Sequence, residues 1–262
     1  MMDLYRKDLF AGGWFSFHCP KENWNYVISK KLYRSFFDTD LIDNKFGESK
    51  ITEDLFLKSD LNFDNIKGKS VLVVGGGPSL SRLTDELISS YDFVFSCNNF
   101  YRNEVLKNHK VHLALLSDEV NLKDEEFLKY IKKHKTILGF EHGKRSSKEL
   151  CEFKENKNVF IYLTRYFSRL GFAIRACVLA RLFGAEKIHF IGVDGFKHDN
   201  TPHLFENKKK PPNFNDTEKF QQSMSIFYQY MLKDLQTKDL DNLSDDFEDS
   251  IYKGILDQVK KL

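Results

Sequence analysis

Gly75, Gly76 and Gly77, followed at once by Pro78 and Ser79, stand directly after the apolar run Val71–Val74. Glycines admit positive φ angles and let a ligand come close to the backbone. Pro78 and Ser79 suit the first turn of a helix, where free N–H groups and the helix dipole favour an anion. The predicted chemistry is the grip of a nucleotide or phosphate. The alternative is a tight strand-to-helix turn with no ligand. The spacing is not G-x-G-x-x-G, because position 80 is Leu, and no Gly-Lys-Ser/Thr follows to make a P-loop.

Further polar residues follow other apolar runs. Asn98 and Asn99 offer amide donors and acceptors suited to a base or ribose, or else an Asx-turn that ends a strand. Ser117 and Asp118 close the run Val111–Leu116, where Asp118 could equally cap a helix. Asp194 follows Lys187–Ile191 and precedes Gly195, which suggests a site; its structural alternative is a turn residue satisfying its own backbone. His198 and His203 lie in a polar loop just beyond. His203 could act as a general base or hold a phosphate, the alternative being a solvated loop histidine. Lys208–Lys210 could neutralise phosphate charge or be a solvated charge run. His189 lies inside a strand and reads as structural. The remaining histidines show no ligand spacing, so no protein-bound metal is expected.

These residues need a scaffold that brings them together. The chain alternates strand and helix patterns: strands at 71–74, 93–97, 111–116, 136–140, 159–163 and 187–191; helices at 79–90, 123–133 and 169–183, the last amphipathic. Such alternation predicts an α/β fold, a Rossmann-like, mostly parallel sheet with helices on both faces. Ligands then collect at the carboxyl ends of the strands, so Gly75–Ser79, Asn98–Asn99, Ser117–Asp118 and Asp194–Gly195 should fall at one edge. The organisation reads as an aromatic-rich N-terminal extension (1–68), a nucleotide-binding domain (69–233) with a mobile lid at 197–216, and an acidic tail with a weak C-terminal helix (234–262). A helix is expected over 217–233.

Composition narrows the classes. The 262 residues are 41% hydrophobic and 30% charged, ordinary for a globular chain that can bury a core. The net charge of +2 comes from many charges of both signs and argues against a nucleic-acid partner. Cys19, Cys97, Cys151 and Cys177 are widely spaced and read as reduced thiols, mostly core. The apolar run near the N-terminus is too short and broken for a signal peptide, and no stretch has transmembrane length. The expected location is cytoplasmic, with a peripheral position at the inner membrane left open.

Three segments together resemble a known group. Val71-Leu-Val-Val-Gly-Gly-Gly-Pro-Ser-Leu80 resembles the Gly-Asn-Gly-Pro-Ser-Leu strand-turn of bacterial lipooligosaccharide sialyltransferases. Phe95-Ser-Cys-Asn-Asn-Phe-Tyr101 is similar to their Cys-Asn-Gln-Phe-Tyr segment, and Gly171 to Gly184 with Gly192-Val-Asp194 to their Ser-Gly helix and Gly-Ile-Asp strand end. The pattern is also similar to flagellin-modifying motility-associated glycosyltransferases and to archaeal, MptE-like hydroxymethylpterin diphosphokinases. His203-Leu-Phe205 resembles the Thr-His motif of the motility-associated group. The resemblance covers about residues 70–205. It implies that Gly75–Ser79 and Asn98 hold the CMP part of a CMP-sugar donor, that Ser117 or Asp118 touches it, and that Gly171 opens the helix beside it. The implied function is transfer of a nonulosonic, sialic-acid-like sugar to a surface glycan or protein; on the reading of the residues themselves, Asp194 or His203 would take the acceptor proton. No cofactor beyond the nucleotide-sugar co-substrate is implied. The alternatives are a Mg²⁺-dependent diphosphokinase of the hydroxymethylpterin type and a nucleotide-binding module without catalysis, the latter favoured because no histidine follows His203. A homo-oligomer stays open.

Overall fold

The structure, a computed structural model, describes residues 63–117, 120–141, 158–162, 170–195 and 217–262. Most of the N-terminal extension, Asp118 and the 197–216 segment with His198, His203 and Lys208–Lys210 lie outside these residues.

Seven strands form one sheet: β1 (Ser70–Val74), β2 (Phe93–Cys97), β3 (Leu113–Leu116), β4 (Ile137–Glu141), β5 (Val159–Tyr162), β6 (Lys187–Ile191) and β7 (Asp239–Asn242). Their order is β5-β4-β3-β2-β1-β6-β7, and every neighbouring pair is parallel. Val71, Leu72, Val73 and Val74 are all 0% exposed. Successive strand residues point to opposite faces, so β1 is covered on both, as a parallel sheet between helical layers requires. The expected α/β architecture is therefore present.

Among the described residues the α-helices are α1 (Asp85–Ser89), α2 (Glu125–His134), α3 (Phe172–Leu182), α4 (Thr217–Gln229) and α5 (Ile255–Lys260). Thr84 caps α1 by accepting from Leu87 N–H, and Asp124 caps α2 by accepting from Glu126 and Phe127 N–H. The helix α3 packs against β1, β2, β3 and β6. The amphipathic pattern expected for it is not what forms, because residues 173–180 are all buried. Alanines at 173, 176 and 180 let it lie close to the sheet, while other elements cover its outer side. Gly184 follows with φ +95 and donates its N–H to Arg181 O, ending the helix. The expected 217–233 helix forms as α4 followed by a π-helical turn, Tyr230–Asp234.

Two expectations are corrected. The single helix over 79–90 is instead a 3₁₀ turn, Pro78–Arg82, then α1; Leu83 and Thr84 are extended and Thr84 restarts the helix. The acidic segment after residue 234 is no free tail. It supplies β7, with Leu240 and Asn242 buried and Asp239 exposed beside His189. Alternating inward and outward residues suit a half-covered edge strand, and the outward aspartates discourage edge-to-edge pairing.

Candidate functional site

The strand order reverses between β1 and β6: the chain first builds outward from β1 through β2 to β5, then returns to β1's other side. In open parallel sheets, ligands lie at the carboxyl edge of such a switch point. The parallel registers bring Gly75, Asn98, Ser117 and Asp194 to that one edge, as expected.

The exits of β1 and β6 are joined there. Gly75 N–H donates to Ile191 O at 2.8 Å, and Gly77 N–H to Gly192 O at 2.8 Å. A Cβ on Gly75 would stand 2.3 Å from Gly192 O, and one on Gly77 would stand 2.2 Å from Asp194 Oδ2. The reason expected for the glycines changes accordingly. None of the three has positive φ. Gly75 and Gly77 are required by the close approach of the β6 exit, whereas Gly76 between them is half-exposed. Gly192 and Gly195 carry the positive φ angles, +75 and +74.

Pro78 opens the 3₁₀ turn, with Gly77 as its cap. The N–H of Ser79, expected to face an anion, instead donates to Asp194 Oδ2 at 2.9 Å. The Ser79 and Ser244 hydroxyls are 2.7 Å apart, and Gly192 N–H donates to both, at 3.0 and 3.1 Å. Ser79 and Ser244 are 0% exposed and Asp194 is 2% exposed. Burial raises the Asp194 carboxyl above its ordinary range; the Ser79 and Ser244 hydroxyls and the Ser79 N–H offset part of this, and the charge of Asp249 adds to it. Asp194 Oδ1 makes no hydrogen bond of ordinary geometry. As a base candidate, Asp194 is thus corrected: its side chain is buried and engaged with the glycine turn, not presented to an acceptor.

At β2, Asn98 sits in the left-handed region, φ +52, a conformation asparagine tolerates better than most residues. Its N–H donates to Leu115 O, and its Oδ1 accepts Ser117 N–H at 2.9 Å. The local Asx-turn is not what forms: Asn98 ties the end of β2 to the end of β3. Its Nδ2 has no hydrogen-bond partner among the described residues. Asn99 is half-buried and caps the short turn Phe100–Arg102, while Ser117 is buried.

Gly171 caps α3 with φ +89 and ψ −175, and nothing lies within 4 Å of where its Cβ would be. The Cys97 thiol meets the N–H of Ala173, so the first turn of α3 sits over the end of β2. Burial pushes Cys97 up to about 12 and Cys177 well above its ordinary value, which removes both as thiolate nucleophiles near neutrality.

Sequence reading missed Ser244, Tyr252 and Arg175. Ser244 lay in a segment read as a tail. Tyr252 is buried close enough for the Asp194 charge to raise its hydroxyl pKa further, after burial itself. Arg175 is buried in α3, its guanidinium 4.7 Å from the Phe172 ring centre; an arginine in the middle of an apolar run was the available signal. His189 is structural: its Nδ1 pairs with Tyr91 Oη at 2.7 Å and its Nε2 with Asp239 at 2.9 Å. Among the described residues, no group of three or more His, Cys, Asp or Glu is arranged for a metal ion, and no helix is long and apolar enough to cross a membrane.

No protein-family model matches the chain, and no curated protein sequence matches it. Solved structures do. A mammalian sialyltransferase in complex with Gal-beta-1-3GalNAc-ortho-nitrophenol aligns with a TM-score of 0.51 at 11% identity, over 88% of this chain and 94% of that one. The monofunctional alpha-2,3-sialyltransferase Cst-I of Campylobacter jejuni gives a TM-score of 0.47 at 18% identity, over 68% and 77% of the two chains. The sialyltransferase CstII of the same organism, in complex with CMP-3FNeuAc, gives 0.47 at 16%, over 68% and 83%. At these identities the likeness is one of fold.

Proposed function

We propose that this chain is a glycosyltransferase that takes a nonulosonic, sialic-acid-like sugar from a CMP-activated donor and places it on a surface glycan or protein. The observation that carries the reading is the convergence, at the switch point of the sheet, of a half-exposed Gly76, the Asn98 amide and the first turn of α3. Gly76 N–H and Asn98 Nδ2 make no hydrogen bond to the described residues, and both are donors suited to the phosphate, ribose or base of a nucleotide. The likeness of fold to a mammalian sialyltransferase agrees with this reading.

The reaction is a single displacement. An acceptor hydroxyl attacks the anomeric carbon, the bond to the phosphate oxygen breaks, and CMP leaves with the electron pair. His203 takes the acceptor proton in this scheme, since the other candidate, Asp194, is buried. The test is calorimetric titration with CMP in EDTA, on the wild type and on Gly76→Val. The wild type is expected to bind, and the variant to lose roughly tenfold or more in affinity while its thermal midpoint in the absence of nucleotide stays near wild type. Equal CMP affinity in the two proteins removes the glycine turn as the site. Binding of a nucleoside triphosphate only when Mg²⁺ is supplied would favour the diphosphokinase chemistry instead.

A further inference from the structure

We infer that Asp194 and Ser244 are positioning residues, which act through Ser79 to hold the glycine turn in the shape that receives the nucleotide. This rests on the reading of that turn as the nucleotide site.

The argument is one of donors and acceptors in a closed space. Four hydrogens meet here: the Ser79 and Gly192 N–H groups and the two serine hydroxyl hydrogens. The Ser79 N–H goes to Asp194 Oδ2 and the Gly192 N–H is shared by the two hydroxyl oxygens. With the hydroxyls 2.7 Å apart, one donates to the other. Asp194 Oδ2 is tied to the turn by the Ser79 N–H, and the nearby serine hydroxyls favour the carboxylate's charged form. An unpaired polar group in such a dry setting is costly, so these bonds hold the backbone at residues 77–79 in one arrangement. The missing Cβ of Gly77 is the space the carboxylate occupies.

Ser244 reaches this point because the chain after β7 folds back over the β6 exit. Ser244 N–H donates to Asn242 Oδ1, and Ile251 N–H donates to Asp194 O at 2.9 Å. A Cβ on Gly195 would stand 2.3 Å from Ile251, so this segment packs directly on the Asp194–Gly195 backbone. Residues near the C-terminus, far from the glycine turn in sequence, therefore shape the turn.

The test compares Asp194→Asn, Asp194→Ala and Ser244→Ala in the full chain. CMP affinity is read by calorimetry, and exchange of the Ser79 amide by NMR without nucleotide. Asp194→Asn keeps an oxygen that can accept the Ser79 N–H, so its CMP affinity is expected within about threefold of wild type and its Ser79 amide protected. Asp194→Ala and Ser244→Ala are expected to lose about tenfold or more in CMP affinity and to expose that amide to faster exchange. If Asp194→Ala does not fold, Ser244→Ala carries the same comparison. Wild-type affinity and wild-type Ser79 exchange in Ser244→Ala overturn the inference, as does an Asp194→Asn protein as impaired as Asp194→Ala. If the wild type binds no CMP, the functional reading fails, while the exchange rates still decide whether these side chains hold the turn.

Discussion

Replacing Gly77 by Ala tests the junction of β1 and β6 most directly. The new Cβ would lie 2.2 Å from Asp194 Oδ2 and 2.9 Å from Gly192 O. An ordinary carbon–oxygen contact is about 3.3 Å, so the buried carboxylate must retreat by about 1 Å. That stretches its 2.9 Å bond from Ser79 N–H beyond hydrogen-bonding length. Losing a hydrogen bond to a charged group costs about 1.5–3 kcal/mol, and overpacking a closed site a further ~1–3 kcal/mol. The lower chain entropy of unfolded Ala returns ~0.4–1 kcal/mol. The net expectation is a loss of about 2–5 kcal/mol, or roughly 5–15 °C in thermal midpoint. In an Asp194→Ala background the carboxylate is gone and its bond already lost. Only the contact with Gly192 O remains, and the cost of Gly77→Ala should drop to about 1 kcal/mol. Guanidinium unfolding followed by far-ultraviolet circular dichroism on the four proteins of this cycle gives the coupling directly. Costs that agree within about 0.5 kcal/mol in the two backgrounds would refute the account of why Gly77 is glycine.

Tyr130→Phe should destabilise the fold by about 1–3 kcal/mol in chemical denaturation, because the hydroxyl accepts Val111 N–H at 3.1 Å and donates to His109 O at 2.6 Å, leaving a buried amide unpaired when it is removed. His112 gives a pH signature: burial, with Lys110's charge adding, pushes it down to about 4 from the usual 6.5, and its Nδ1 accepts Val94 N–H. Above pH 6.5 both states are neutral and its contribution is complete; as pH falls from 6.5 towards 4 the unfolded chain gains a proton the native state refuses, so stability drops across that window. In His112→Asn, which keeps an acceptor and cannot titrate, thermal midpoints across this range should fall less steeply than in the wild type.

The clearest strands in the sequence are two that are buried on both faces. Val71–Val74 and Leu113–Leu116 are near-continuous apolar runs, and nothing in their surroundings competes with that signal. The edge strand Asp239–Asn242 was not legible, because two aspartates and an asparagine have low strand propensity and read as solvated charge. Its partner β6 and the inward Leu240 decide its place. The break between Pro78–Arg82 and Asp85–Ser89 was hidden because Leu80, Leu83 and Leu87 keep helical spacing across it. As for the site, strand ends could be located from the order of elements alone, and Gly75, Asn98, Ser117 and Asp194 do meet at one edge. What each side chain does there could not be read. The partner of Asn98 is 19 residues away and that of Asp194 is 115 away.

The serine pair also sets when the molecule can be completed. Ser79 and Ser244 are separated by 165 residues, and the hydroxyl contact between them bridges the start and the end of the sheet. At roughly 5–20 residues per second, a ribosome needs about 10–30 s to travel from one to the other. Throughout that interval the glycine turn has emerged without the hydroxyl that fixes it, and β6, once made, has a bare edge until β7 arrives. Contacts of such long sequence separation form late and slowly. A nascent chain stalled before residue 239 should accordingly carry most of the sheet and no finished nucleotide pocket.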